Sequence, residues 1–497
     1  MRPRTLLRLV VLTAICSAAG CAAVGRVRKP AVAGTFYPAD PKELAKMVDG
    51  FLAQAKVPAI KDLVAVVSPH AGYPYSGPVA AYSYALLKGR KIERVVVISP
   101  SHADSFGFSA VFDGTAYATP LGQVPVDQAF AAKLGAAGAL VKLSSRGHAV
   151  SGGRPEHALE VQLPFLQRAL GQFQLVPVVM GDQSYEASRA LGLALAALIQ
   201  GAGTIIVASS DLSHFHPYAA AVSLDRKTLR AIQEWDYLSL SRNLERRVWE
   251  ACGGGPIVAA MIAAERLGAR QATLLKYANS GDTAGDKSQV VGYGALAFSK
   301  SGAGGGGSVQ FSLNEQEQRE LLSLARRSVE SVVNNRKLYD YKLAGSESLT
   351  HERGAFVTLK KKGALRGCIG YNSALKPLAL TVRDVAASAA VDDTRFAPVT
   401  PPELGELEYE ISVLSPLRRI LDVNEIQVGR DGLVMKKGGR EGLLLPQVAP
   451  EQHWDRMKVL EQTCLKAGLA PDAWKDTDTE IFAFTALVFG DRASPGR

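Results

Sequence analysis

Three apolar runs in this 497-residue chain each lead into a serine and, within a few residues, a histidine. Val64-Ala65-Val66-Val67 leads into Ser68-Pro69-His70, and Val95-Val96-Val97-Ile98 into Ser99-Pro100-Ser101-His102. Ile205-Ile206-Val207-Ala208 leads into Ser209-Ser210-Asp211-Leu212-Ser213-His214. Short β-branched runs of this kind read as buried strands. Proline ends the strand ladder, and Gly72 lets the chain turn back after the first. If the three share one parallel sheet, His70, His102, Asp211 and His214 meet beyond its carboxyl edge, where open α/β sheets bind ligands. With His157 and His216, five of the eight histidines lie in or beside such segments, and His148 lies in a loop. Singly, each reads equally well as a hydrogen-bonding turn residue. As a set they read as a site.

Imidazoles gathered in one cleft suit a first-row ion such as iron, copper or zinc. Two histidines, one anionic donor and open positions would suit activation of oxygen or water. The anionic donor is either a carboxylate or Cys252, which stands in Ala251-Cys252-Gly253-Gly254-Gly255-Pro256 before a helix. A thiolate is favoured at a helix N-terminus; a small buried thiol in a turn fits the same residues. Asp211 and His214 are placed to handle protons or orient a substrate. Glu156-His157-Ala158-Leu159-Glu160 opens a predicted helix, with Glu156 and Glu160 on one face. It lacks the second histidine of a zincin, so a protease is excluded. Glu156 or His157 would orient ligands, or the carboxylates would only complement the helix dipole. Asp282, in Asn279-Ser280-Gly281-Asp282, reads as a turn cap.

The elements that must position these residues alternate. Helices are predicted over 41–55, 79–87, 157–170, 185–200, 226–238 and 257–267, with strands at 64–67, 94–98, 173–179 and 204–208 and a closing strand near 290. That alternation implies an α/β domain with a largely parallel sheet over 27–298. A Gly/Ser linker follows at 299–308, and a second domain over 309–490. The second domain reads as α+β. It has helices over 314–334, 378–390 and 454–467, a hairpin over 354–370 and strands at 409–414 and 442–446. Lys360-Lys361-Lys362 reads as a solvated hairpin.

A hydrophobic fraction of 47% and a charged fraction of 21% are those of an ordinary globular chain. Arg2, Arg4 and Arg8 precede an apolar run over 9–15 too short to span a bilayer. Residues 1–21 therefore read as a secretory signal peptide. Losing its three arginines takes the formal charge from +10 to +7. That charge, with no dense basic block, gives no specific nucleic-acid partner. Ala18-Ala19-Gly20-Cys21 resembles a bacterial lipoprotein box, so Cys21 is expected to carry a lipid. The implied location is an exported, membrane-anchored lipoprotein facing the periplasm or outer surface. Cys252, Cys368 and Cys464 then remain, too few and too scattered for a disulfide framework.

Several motifs in order carry a family resemblance. Pro30-Ala31-Val32-Ala33-Gly34-Thr35-Phe36-Tyr37-Pro38, Pro69-His70-Ala71-Gly72-Tyr73, Tyr75-Ser76-Gly77 and Pro100-Ser101-His102 are four of them. Glu156-His157-Ala158-Leu159-Glu160, the Ser209–His214 segment and Val291-Gly292-Tyr293 complete the set. Together they resemble the Memo family, which is similar in fold to the class III extradiol dioxygenases. The resemblance implies a metal site of His70, His102 and Cys252, with Asp211 and His214 lining the pocket. Cys252 stands where the dioxygenases place a carboxylate, which changes charge donation to the ion. The second domain resembles the AMMECR family through Phe356-Val357-Thr358-Leu359, Leu365-Arg366-Gly367-Cys368-Ile369-Gly370, Arg395-Phe396-Ala397-Pro398-Val399 and Gly442-Leu443-Leu444-Leu445-Pro446-Gln447. Cys368, beside Arg366, is a candidate catalytic nucleophile or a buried thiol on a strand. Such domains occur in bacteria beside Memo-like and radical-SAM proteins, which implies a shared pathway.

The leading expectation is a metal-dependent redox enzyme with a dioxygenase-like site, iron or copper as its ion, and a small molecule or peptide as substrate. The alternative is a non-catalytic ligand- or peptide-binding module and scaffold on the same fold.

Overall fold

In the computed structural model, the central strands form because residues 64–68, 95–100, 175–180 and 205–209 are apolar or small and almost wholly buried on both faces. The structure describes residues 26–148, 155–269, 271–300, 312–343, 346–372, 374–420, 422–476 and 478–491. The expected leader with Cys21, and residues 301–308 of the expected linker, lie outside them. No helix among the described residues is long and apolar enough to cross a membrane.

Leu63–Ser68, Thr204–Ser209, Arg94–Pro100 and Gln174–Met180 run parallel in that spatial order. Antiparallel strands complete the sheet on both sides, so it is mixed. Val290–Ser299 pairs with Leu63–Ser68, and Ser109–Val111 with Gln174–Met180. Ser68 pairs with Ser209, which brings His70 and Asp211 level just past the sheet edge. The helix Gly254–Arg266 is apolar nearly all round, packs on the central strands and carries Tyr185–Leu198 on its outer side.

Three predicted helices take different courses. The helix after His70 spans Tyr73–Ala85, earlier than expected, because a proline is tolerated in a first turn that has no N–H bonds to make. The span 226–238 is split into Tyr218–Gln233 and Tyr237–Glu245. Trp235 takes a left-handed φ of 61°, and the Asp236 side chain accepts the Ser239 N–H to start the second helix. The span 157–170 is a 3-10 turn, Glu160–Gln162, followed by the helix Leu163–Leu170. Glu156 and Glu160 therefore do not share a helix face.

Glu160 is instead an anchor. Its carboxylate pairs with Arg28 Nη1 at 2.6 Å and accepts from the N–H groups of Ala31 and Val32 and from Tyr37 Oη. Arg28 also donates to the carbonyls of His148 and Glu156, at 2.8 and 2.6 Å. His148 Nε2 donates to the Ala110 carbonyl at 3.0 Å, and its Nδ1 accepts from Tyr117 Oη. All of these side chains are buried.

The C-terminal domain has two antiparallel sheets. Ala364–Tyr371, Ala355–Lys361, Leu407–Leu414 and Ala486–Gly490 form one, under the helices Glu315–Asn335 and Leu378–Val391. Arg418–Arg419, Glu480–Phe484, Gly432–Lys437 and Arg440–Leu444 form the other. The triple lysine is at a hairpin, with Lys360 and Lys361 paired to Glu410 and Glu403. Leu414, Val434, Phe482 and Phe484 join the core cluster of the N-terminal domain, so the two domains share an apolar seam. Ion pairs at that seam join Arg189 to Glu480, Lys227 to Glu352 and Arg353 to Glu234.

Arg28→Met leaves the Glu160 carboxylate buried without its cation, and should cost about 3–5 kcal/mol in urea unfolding. Arg28→Met with Glu160→Gln should cost less than the two single changes added together. Burial lowers the pKa of His148 to about 3; burial and then the charges of Arg353, Arg230 and Lys227 lower that of His351 to about 3. Both rings stay neutral in the fold but protonate below about pH 6.5 in the unfolded chain. Their contribution is complete above that pH and is lost as pH falls toward about 3. The urea midpoint should thus drop between about pH 7.5 and about pH 5.5, and His148→Gln should shrink the drop.

Candidate metal centre

The register of the central strands and one three-glycine turn converge on a single buried cluster. His70 follows Leu63–Ser68, and its backbone N–H donates to Asp211 Oδ1 at 2.7 Å. Cys252 arrives from the other side. A side chain at Gly253 would place its Cβ 2.1 Å from the Ser209 carbonyl oxygen, so only glycine lets the cysteine come this close. The Asp211 N–H donates to Cys252 Sγ at 3.3 Å, and the Asp211 carbonyl accepts the Cys252 N–H at 3.3 Å. Gln183 holds the turn by donating to the Cys252 carbonyl and accepting the Gly255 N–H, both at 2.9 Å.

The hydrogen-bond network decides the tautomer of His70. Gln162 Nε2 donates to the Pro69 carbonyl, an acceptor only, which settles the orientation of the amide. The same nitrogen donates to Ser209 Oγ at 2.7 Å, and Gln162 Oε1 accepts from Tyr84 Oη. Ser209 Oγ spends its own hydrogen on the Ala158 carbonyl at 2.6 Å. His70 Nδ1, 2.9 Å from that oxygen, must therefore be the donor. The lone pair is left on Nε2, which faces Cys252 Sγ at 3.1 Å. His102 is set in the same way. Its Nδ1 donates to Glu156 Oε1 at 3.3 Å, which frees Nε2.

Electrostatics match this arrangement. Burial and then the neighbouring His102 hold His70 well below the ordinary pKa of 6.5, as a neutral ligand must be. Burial works to raise the Glu156 carboxyl, but the hydrogen bonds it accepts from His102 and from the Ala158 N–H outweigh it and keep it ionised. Burial raises Asp211. Burial, then the Asp211 charge, push the Cys252 thiol far above its ordinary 9.0. Without a cation, desolvation thus outweighs the favourable placement at the helix start, and of the two forms open in the sequence the fold holds the thiol. A bound cation would reverse the balance by taking the place of the thiol proton.

Donor atoms of His70, Asp211 and Cys252 lie within 4.8 Å of one another, as do those of His70, His102 and His157. Among the described residues the three implied ligands do not form one such group: His102 falls with His70 in one, and Cys252 falls with His70 in the other. This buried imidazole, carboxylate and thiol set fits a first-row transition ion. His214 stands at the rim, where its Nδ1 donates to the Leu212 carbonyl and its backbone N–H to Glu250. His216 pairs with the same glutamate. Asp282 lies away from this cluster and closes a capping box with Asn279.

Cys368 lies in the other domain. Its Sγ accepts from Thr358 Oγ1 at 3.3 Å, and its N–H donates to Asp393 at 2.8 Å. Its carbonyl accepts from Arg395. No hydrogen bond joins it to His351 or His453 among the described residues. A Cβ on neighbouring Gly367 would meet the Ala389 carbonyl oxygen at 2.1 Å, so the strand runs close under the helix Leu378–Val391. Sequence reasoning did not find Ser209, Gln162, Gln183 or Arg28. Each acts through a partner distant in sequence, whereas the histidine-bearing strand ends and the glycines around Cys252 gave local signals.

Residues 28–297 match the family model described as Memo-like protein, and residues 322–489 that of AMMECR1. A MEMO1 family protein of Methanopyrus kandleri is 40% identical over 283 residues, which is 54% of this chain and 98% of that relative. One from Nitrosopumilus maritimus is 37% identical over 279 residues, 55% of this chain and 99% of the relative. A solved structure of an uncharacterized protein from Pyrococcus horikoshii is 39% identical, covers 38% of this chain and 97% of its own, and superposes with a TM-score of 0.36. With more than half of its residues in the first match and these relatives covered almost end to end, the chain belongs to the Memo-like protein family and carries an AMMECR1 domain in the same polypeptide.

Proposed function

We propose that the N-terminal domain is a metal-dependent redox centre of dioxygenase-like type. Iron or copper would be held by His70, His102 and Cys252. The observation that carries this reading is the lone pair of His70 Nε2, locked by Ser209 and aimed at Cys252 Sγ 3.1 Å away. A neutral imidazole facing a buried thiol is a poor structural device but a good pair of donors. When bound, the ion supplies Lewis acidity and one-electron chemistry. The protein's own residues do the rest. Asp211 fixes His70 through its backbone N–H and sits beside the thiol whose proton a cation displaces. His214, with Nδ1 committed to the Leu212 carbonyl, keeps Nε2 for proton exchange with a small molecule or peptide at the rim. Exposed Phe215, next to it, offers that substrate an apolar contact.

The AMMECR1 domain, packed against the first through the apolar seam, would present a substrate or partner, with Cys368 as its reactive residue. A radical-SAM protein of the same pathway would be that partner. The leader expected from the sequence would carry the pair out of the cytoplasm, with Cys21 as the tether.

Protein purified without oxygen should carry about one equivalent of iron or copper by elemental analysis, and His70→Ala with His102→Ala should carry almost none. Equal metal content in the two would sink the metal reading. Cys21→Ala should move the full-length protein from the membrane fraction to the soluble one; unchanged partitioning would remove the lipid anchor.

A further inference from the structure

His70, His102, His214 and His216 each commit a ring nitrogen to the protein. The ring of His157 makes no hydrogen bond among the described residues, although it is only 9% exposed. Its ring nitrogens are not fully enclosed, so the open side of the pocket, and no protein group, meets their polar edge. The ring is held firmly. Phe36 lies 4.5 Å away between centroids, and His102 stacks on it at 4.7 Å and 22°. His70 stands edge-on at 5.6 Å and 84°. One nitrogen of each of His70, His102 and His157 falls within a mutual 4.8 Å.

We propose that His157 is a metal ligand that joins His70 and His102 in a nitrogen-only seat, where it takes the place that Cys252 holds in the seat proposed above. This rests on the metal reading above and extends it. His70 has a single lone pair to give, because its Nδ1 donates to Ser209. The two seats therefore compete for one ion. A harder ion such as Cu(II) suits the imidazole seat; a soft one such as Cu(I) suits the thiolate side. The centre holds its ion in either of two donor sets hinged on His70, and Cys252 is not essential for binding Cu(II).

The test loads Cu(II) into the wild type, Cys252→Ser, and Cys252→Ser with His157→Phe, and counts bound imidazoles by pulsed EPR of their remote nitrogens. Phenylalanine keeps the ring between Phe36 and His102 but removes both nitrogens. The expected result is one Cu(II) with three imidazoles in Cys252→Ser. The double variant should show two imidazoles and an affinity lower by at least about tenfold, the usual minimum for losing even a ligand-orienting residue. If His157→Phe fails to fold, His157→Gln carries the same comparison. Equal imidazole counts in the two variants, even with weaker binding, would make His157 a packing or orienting residue and overturn the proposal. So would a Cys252→Ser protein that binds no copper while the wild type binds it. A wild type that binds no ion fails at the earlier step, the metal reading itself.

Discussion

The buried pair of Arg28 and Glu160 is the interaction on which the site most depends. Both side chains are out of water, and every oxygen of the carboxylate is occupied by a donor. Such a pair is weak evidence for stability, because desolvation takes back most of the Coulombic gain. Its value here is positional. It ties the first described residues of the chain to the segment over 156–162, and that segment delivers Glu156 to His102, His157 between His102 and Phe36, and Gln162 to Ser209. Without the anchor, the segment would be free to continue the helix that its sequence favours.

From there, orientation passes through hydrogen bonds whose donors and acceptors leave no choice. A carbonyl sets the Gln162 amide, the amide and a second carbonyl set the Ser209 hydroxyl, and the hydroxyl sets His70. The imidazole is left neutral and pointed at Cys252. The low dielectric that makes unpaired polar groups costly also keeps His70 and Cys252 uncharged in the absence of a cation. The site is thus preorganised toward positive charge without holding negative charge of its own at the sulfur.

The fused domain meets this arrangement close to its third donor. Glu480 of the AMMECR1 domain accepts from Tyr185 Oη at 3.0 Å and Arg189 Nε at 2.9 Å. These lie on the helix that follows Gln183, whose side chain clamps the Cys252 turn. The domain contact and the candidate metal centre therefore share one short stretch of chain, and the second domain, while keeping cores of its own, adds Leu414, Val434, Phe482 and Phe484 to that of the first.

Much of this was legible from residue types alone. The three valine- and isoleucine-rich runs ending in Ser-Pro-His, Ser-Pro-Ser-His and Ser-Ser-Asp determine buried strands that stop abruptly beside the candidate metal-binding residues. The glycines around Cys252 determine close backbone approach. These are local signals, carried by periodicity and by backbone freedom. The tertiary structure alone decided that Glu156 and Glu160 face different partners, because the Arg28 that captures Glu160 lies 132 residues away in sequence. It decided the split of the helix at Trp235, where capping by Asp236 prevailed over helical pattern. It also decided the protonation of the centre. The sequence places Cys252 before a helix and leaves thiolate and thiol both open, whereas burial beside Asp211 favours the thiol in the absence of a cation. Desolvation depends on what surrounds a group in space, and no spacing along the chain encodes it.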